Sequence, residues 1–416
     1  MSSNKLLSFI GPTKYIEAFY SYEDKQTDEP CQFIQEALIR FFCKDWCEDD
    51  SIIIFLTEES KKKNWYSKKD FPNANFEKGL RERLEEIREE FNLNICIENI
   101  EIPDGKSENE IWNIFEKINS KIDEGDTIIF DITHSYRYLP MLTLVILNYV
   151  KFVKSVKIEK IVYGAMEALG NYNEVKDIPI KERIIPIFDL TSFVRLFDWT
   201  VAIERFLETG NARMIKELGL IELKPLLAET KGEKGKGLKN LINSLNYFSE
   251  RVSTCRGPEL KCAIERILEA LPDAEKELGR LRPFGPLFEK IRERFSAMNI
   301  ENEVYCGLDV ASWCLEHGLI QQGYTILRET ITNYVIIKNL KNEELTKKEN
   351  RVIAEVMLNC KYEQIPNSIL ELWRNMGDFR NDINHAGWRD QNYHEPRVLE
   401  QKLRDFIKCA KDIIIV

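Results

Sequence analysis

Up to about residue 190, short apolar runs alternate with stretches of helical periodicity. The runs cover residues 6–10, 52–56, 95–100, 127–132, 158–163 and 184–190. Most are continuously apolar rather than alternating, as expected of strands buried on both faces of a parallel sheet. Between them, Phe76, Leu80, Leu84, Ile87 and Phe91 form a helical stripe. Ile111, Ile114, Ile118 and Ile122 form a second, begun by the capping box at Ser107–Glu110. The helix after Pro140 is apolar nearly all round, which predicts burial. Strand–helix alternation of this kind predicts a doubly wound α/β domain.

Beyond residue 193 the strand pattern stops. Residues 193–209 read as a helix ended by Gly210, with Trp199, Ile203 and Phe206 on one face. Residues 231–237 read as a mobile loop, and residues 283–286 as a turn at the edge of the last domain. Later stripes run through Ile320, Tyr324, Leu327, Ile331 and Tyr334, and through Leu399, Leu403, Phe406 and Ala410. The chain is therefore expected to be α/β first and all-α afterwards.

Ligands of an open parallel sheet bind at the carboxyl ends of its strands, where free N–H groups face anions. Those ends are polar here. They carry Gly11 and Thr13, then Thr57 and Ser60, then Thr133, His134, Ser135 and Arg137, then Gly164 and Glu167. Thr133 and Ser135 suit helix capping, His134 suits donation to a phosphate, and Arg137 suits phosphate contact or base stacking. Neither G-x-G-x-x-G nor G-x-x-x-x-G-K-[ST] occurs, so the usual dinucleotide and P-loop fingerprints are missing.

Composition narrows the classes. The 416 residues exceed one typical domain, and 44% hydrophobic with 31% charged residues excludes a disordered chain. A net charge of −10 argues against an indiscriminate nucleic-acid coat but leaves room for a local RNA site. No secretory leader or membrane span is expected, and ten cysteines without a leader fit the reduced cytoplasm. Cys43 and Cys47 have helical spacing, but no second ligand pair lies near them and the chain has only four histidines. No metal site or cofactor is expected.

The chemistry-bearing segment is near the C-terminus. Ile369, Leu372, Met376, Phe379 and Ile383 mark the buried stripe of a helix that begins after Pro366. At about 100° per residue, Arg380, Asn381, Asn384 and His385 fall on the opposite arc, and Gly387 can end the helix. Arginine with histidine suffices for RNA cleavage without a metal. One moves protons to and from the 2′- and 5′-oxygens, and the other holds the developing phosphate charge. A single pair is a thin complement, and two copies across a twofold axis would supply a fuller site.

Taken together, the two halves resemble the CARF–HEPN ribonucleases, accessory effectors of type III CRISPR systems. Residues 131–137 followed by Pro140 are similar to the CARF motif D-x-T-H-G-F-R, with Ser135 where that pattern has Gly and Tyr136 where it has Phe. Residues 188–191 and Asp198–Trp199 resemble the segment where the family leaves its CARF domain. Residues 380–385 match the HEPN pattern of Arg, a polar residue, a spacer and His. The resemblance implies a Rossmann-like, parallel-sheet CARF domain over residues 1–195, a helical connecting region over 196–300 and a HEPN ribonuclease domain over 301–416. It also implies a homodimeric, cyclic-oligoadenylate-activated, metal-independent endoribonuclease of single-stranded RNA, with cyclic tetra-adenylate the favoured activator. Arg380 and His385 would then be catalytic, supported by Asn381. Two other readings remain open: a cyclic-nucleotide-responsive regulatory protein whose helical part does no chemistry, and a CARF protein that degrades its own activator.

Overall fold

A computed structural model of the chain describes residues 3–69, 76–133, 139–229, 235–277, 284–341, 344–360, 362–388 and 393–415. They fall into two compact units, one up to Val194 and one from Arg195 onward.

The first unit runs β1 (Asn4–Ile10), β2 (Phe19–Tyr22), β3 (Lys25–Gln26), α1 (Ile34–Phe42), β4 (Ser51–Leu56), the single turn α2 (Glu58–Ser60) and β5 (Lys68–Lys69). It continues through β6 (Phe76–Glu77), α3 (Leu80–Glu90), β7 (Cys96–Glu101), α4 (Glu108–Ser120), β8 (Thr127–Asp131), α5 (Leu139–Val153), β9 (Lys157–Gly164), α6 (Tyr172–Val175) and β10 (Ile184–Asp189). The main sheet has the order β3-β2-β10-β9-β8-β1-β4-β7. Strands β9, β8, β1, β4 and β7 are mutually parallel. After β7 the chain returns to the far side of β1, so the order reverses between the carboxyl tips of β1 and β8. That is the crevice where an open α/β sheet binds ligands.

Side chains of the parallel strands alternate between two cores. Leu6, Ile52, Ile54 and Ile129 face α1 and α3 through Ile34, Leu38, Leu80 and Leu84. Leu7, Phe9, Ile53, Phe55 and Phe130 face α4 and α5 through Ile114, Ile118, Ile146 and Val150. Helix α4 begins at Ser107 as predicted, its hydroxyl accepting the Glu110 N–H at 3.3 Å, but the Glu110 carboxylate accepts the Lys106 N–H at 2.9 Å instead of closing the box on Ser107.

Three expectations for this unit need correction. The sheet is mixed, because β10 runs antiparallel to β9, β2 pairs with β10, and β3 turns back on β2. The connection from β9 to β10 holds only short turns and α6, with no long helix to cross back over the sheet as a parallel neighbour usually requires. Phe76 lies in β6 and Phe91 caps α3, so the stripe predicted there is helical only in its middle. Helix α5 is not buried all round. Thr143, Ile146, Leu147 and Val150 pack inward, but Met141, Val145, Tyr149 and Phe152 stand exposed, Phe152 at 90%. Apolarity on every side of a helix does not say which side the sheet covers.

Both edges of the sheet are guarded. Strand β3 is two exposed residues long. On the opposite edge, Glu98 of β7 pairs with Lys121 at 2.8 Å, and Glu101 pairs with Lys61 at 3.2 Å. The Lys117 ammonium donates to the Glu101 carbonyl.

The second unit is helical: α7 (Thr191–Thr209), α8 (Arg213–Glu229), α9 (Lys236–Ser253), α10 (Leu260–Lys276), α11 (Gly285–Ser296), α12 (Glu303–Glu316), α13 (Ile320–Asn339), α14 (Lys348–Asn359), α15 (Asn367–Asn384) and α16 (Pro396–Ile414). One apolar core extends from Trp199 to Ile414, and Phe284 of the expected domain-edge turn is buried within it. Helix α7 ends at Gly210, whose φ of +69° suits glycine and whose N–H donates to Phe206. Residues 231–234 of the expected loop, and Pro283, lie outside the described residues. The ten cysteines are free thiols. Among the described residues, no helix is long and apolar enough to cross a membrane.

Candidate functional sites

The crevice between β1 and β8 is built on Asp131, the fully buried last residue of β8. One carboxylate oxygen accepts the Ser8 hydroxyl at 2.6 Å. The other accepts the Thr133 N–H at 2.9 Å and the Thr133 hydroxyl at 2.5 Å. Burial pushes the Asp131 carboxyl above its ordinary value, opposed by these bonds from Ser8 and Thr133. The Thr133 hydroxyl also accepts the Gly164 N–H at 2.8 Å, which stitches the tip of β8 to that of β9. A Cβ on Gly164 would come within 2.4 Å of the Ile34 Cδ1 methyl, so a larger residue there would require that side chain to move. From α1, the Gln35 amide donates to the Ser8 hydroxyl at 2.8 Å and to the Phe9 carbonyl at 2.9 Å, clamping the end of β1.

The neighbouring loop is held just as locally. The Gly11 N–H donates to the Tyr15 hydroxyl at 2.8 Å, and the Asn64 amide donates to the carbonyls of Gly11 and Thr13. Thr13 itself is exposed. Thr57 and Ser60 are buried and spend their hydroxyls on each other at 3.0 Å, with Thr57 capping α2. Glu167 is exposed and accepts the Tyr163 hydroxyl. His134, Ser135 and Arg137 lie outside the described residues. Sequence reasoning missed Ser8, Gln35, Tyr15 and Asn64. Ser8 had a signal, being the polar residue inside the apolar run of β1.

In the helical unit, α15 carries the Arg–His segment as its wheel predicts. Asn381, Asn384 and His385 are exposed and Arg380 is half-buried. His385 is the C-cap, its N–H donating to the Asn381 carbonyl at 3.0 Å. Ala386 and Gly387 then turn the chain with φ of +51° and +73°. Asp382, inside the same motif, points inward and is 2% exposed. It accepts the backbone N–H of His394 at 2.8 Å and contacts the His394 ring nitrogen Nδ1 at 3.1 Å. That ring in turn sits 4.2 Å from the Phe379 ring. The inward carboxylate thus anchors the segment that follows the exposed histidine. Removing it by Asp382→Ala would leave the part-buried His394 N–H without its acceptor. The expected cost is about 1–3 kcal/mol, read by urea unfolding, with ligand affinity at the strand tips unchanged. Among the described residues, no group of three or more His, Cys, Asp or Glu is placed to hold a metal ion.

Residues 5–167 match the family described as the CARF domain of the CRISPR system endoribonuclease Csx1. Residues 195–302 match the second domain of the CRISPR-associated protein MJ1674. This segment carried no motif legible in the sequence. The chain is 25% identical over 333 residues to the CRISPR-associated protein MJ1674 of Methanocaldococcus jannaschii, covering 75% of this chain and 47% of that protein. The chain therefore spans about half the length of this relative. Helix α15 lies outside both matched segments. These matches support a CRISPR-associated protein whose N-terminal unit is a CARF domain.

Proposed function

We propose that the chain is an accessory endoribonuclease of type III CRISPR antiviral defence, activated by a cyclic oligoadenylate and independent of metal. The observation that carries this reading is the outer face of α15. Arg380 and His385 lie there within two turns of each other, and Asp382 turns inward to fix the chain beyond them. In the reaction, a base removes the 2′-hydroxyl proton and that oxygen attacks the adjacent phosphorus. The bond to the 5′-oxygen breaks as an acid protonates it, leaving a 2′,3′-cyclic phosphate and a 5′-hydroxyl. His385 serves the proton transfers and Arg380 the phosphate charge, with Asn381 exposed beside them.

The activator is assigned to the tips of β1, β8 and β9, where Gly11, Thr13, Thr133 and Gly164 border the crevice; His134, Ser135 and Arg137 are assigned to it on the sequence motif alone. The deciding experiment incubates purified protein and labelled single-stranded RNA with cyclic tri-, tetra- and hexa-adenylate, with and without EDTA. Cleavage is expected with cyclic tetra-adenylate and should survive EDTA. No cleavage with any ring would overturn the reading.

Homodimerisation is part of the proposal. Met141, Val145, Tyr149 and Phe152 of α5 form an exposed apolar stripe. Tyr149 continues it through Phe115 to the exposed Trp112, with ring centroids 5.3 and 5.7 Å apart. Apolar faces of this kind mark association surfaces. A second copy placed there about a twofold axis would bury the stripe of both chains at once. The double variant Val145→Asp/Phe152→Asp is expected to sediment as a monomer with its melting temperature preserved. A dimer that survives the change would place the interface elsewhere.

A further inference from the structure

Trp373, Gly377 and Arg380 follow one another along a single face of α15, at spacings of four and three. Trp373 is buried, and its indole N–H donates to Asn359 at 2.9 Å. Over that indole lies the guanidinium of Arg328 from α13, its Cζ 3.6 Å from the ring centroid. One turn further along, a Cβ built on Gly377 would meet nothing within 4 Å, so the helix surface there is bare. Beyond it stands Arg380, whose side chain leaves the helix leaning toward the N-terminus and hence toward the bare turn.

Both guanidiniums are half-buried. Nε of Arg380 is enclosed and has no acceptor among the described residues. Glu329, the chain neighbour of Arg328, is engaged by Arg351. Burial and then the Arg380 charge hold the Arg328 guanidinium below its ordinary value, with Glu355 and Glu329 pulling the other way. Two like charges drawn to one notch repel each other, and an anion seated between them would reverse that term. Stacking on Trp373 offsets part of the cost for Arg328 and fixes the plane of its donors, which a lysine could not do.

We infer that Arg328 is a second phosphate-binding residue of the RNA site, holding, together with Arg380, a phosphodiester of single-stranded RNA over Gly377. This rests on the proposed ribonuclease reading for the identity of the anion. Gly377 then has a function of its own, because a side chain there would fill the space the phosphate needs.

The test uses full-length protein carrying His385→Ala, so that RNA is not consumed. A fluorescein-labelled single-stranded RNA is titrated by anisotropy at several salt concentrations, with and without cyclic tetra-adenylate. Added Arg328→Gln should weaken binding about tenfold and lower the salt slope by about 0.7. Arg328→Lys should recover the slope and part of the affinity. Gly377→Leu should weaken binding while its melting temperature holds or rises, which separates a blocked phosphate from a damaged fold. Unchanged affinity in both Arg328→Gln and Gly377→Leu, or no RNA binding by the parent, would overturn the inference. If binding depends on Arg328 yet the protein with His385 intact cuts no RNA, the cleavage reading falls and the phosphate site stands.

Discussion

His385→Ala is expected to lower oligoadenylate-stimulated RNA cleavage by about 10²–10⁴-fold, the range for losing a positioned proton-transfer group. The residue is exposed at the C-cap of α15, so its removal exposes no core and should leave the melting temperature unchanged. Arg380→Ala should cost about 10²–10³-fold, through lost stabilisation of charge on the phosphate. Gel-based cleavage assays at saturating activator read both, and calorimetric titration of the activator should give wild-type affinity in each variant. If the two copies share one composite site, mixing wild type with excess Arg380→Ala protein should depress activity beyond dilution. A loss confined to activator affinity would move the assignment from chemistry to the strand tips.

The second large effect concerns the foundation of the crevice. Asp131→Ala would leave the Thr133 N–H without its acceptor and the buried Ser8 hydroxyl with only the Phe9 carbonyl, 3.5 Å away. The expected cost is about 2–4 kcal/mol, measured by urea unfolding, together with loss of activator binding as the β8 and β9 tips come unstitched. Asp131→Asn should do far less. Its oxygen can still accept from Thr133, and Ser8 can accept from the new amide while pointing its proton at the Phe9 carbonyl. The pH dependence separates the two forms. Because burial raises the Asp131 pKa above its unfolded value of 3.8, the folded chain binds that proton more tightly. Stability from this group is therefore greatest at low pH and falls as pH rises through that window. The Asn variant has no such proton, so it should gain on the wild type as pH rises above 3.8. Parallel stability profiles would show that Asp131 does not titrate differently on folding.

Of the six longer strands of the first unit, β1, β4 and β8 were legible as continuous apolar runs buried on both faces, and β7, β9 and β10 as shorter apolar stretches in partly exposed strands. Strands β2 and β3 were not, although Phe19-Tyr20-Ser21-Tyr22 alternates between half-buried and buried positions. The turn after it places Glu23, rather than a glycine, at a positive φ of 52°, which removes the usual hairpin cue. The bare face of α5 was illegible for a different reason: periodicity cannot rank two apolar faces. Around the candidate sites, the outward arc of α15 followed from helix geometry alone. The Asp382–His394 contact did not, since it spans twelve residues and a chain reversal that only the folded helices bring together. Arg328 was hidden likewise, because its tie to Trp373 joins two helices.

The guarded edges of the sheet govern how copies of this protein can meet. An open edge recruits further chains through its unpaired backbone, one after another, and such growth has no natural stopping point. Here one border is two residues long. The other carries paired glutamates, and a lysine already occupies one of its carbonyls. Strand-by-strand accretion thus finds no footing, and association is left to side-chain surfaces that can be fully matched by a single partner. For the proposed homodimeric ribonuclease such a border is an advantage, because concentration then fills pairs rather than lengthening fibres.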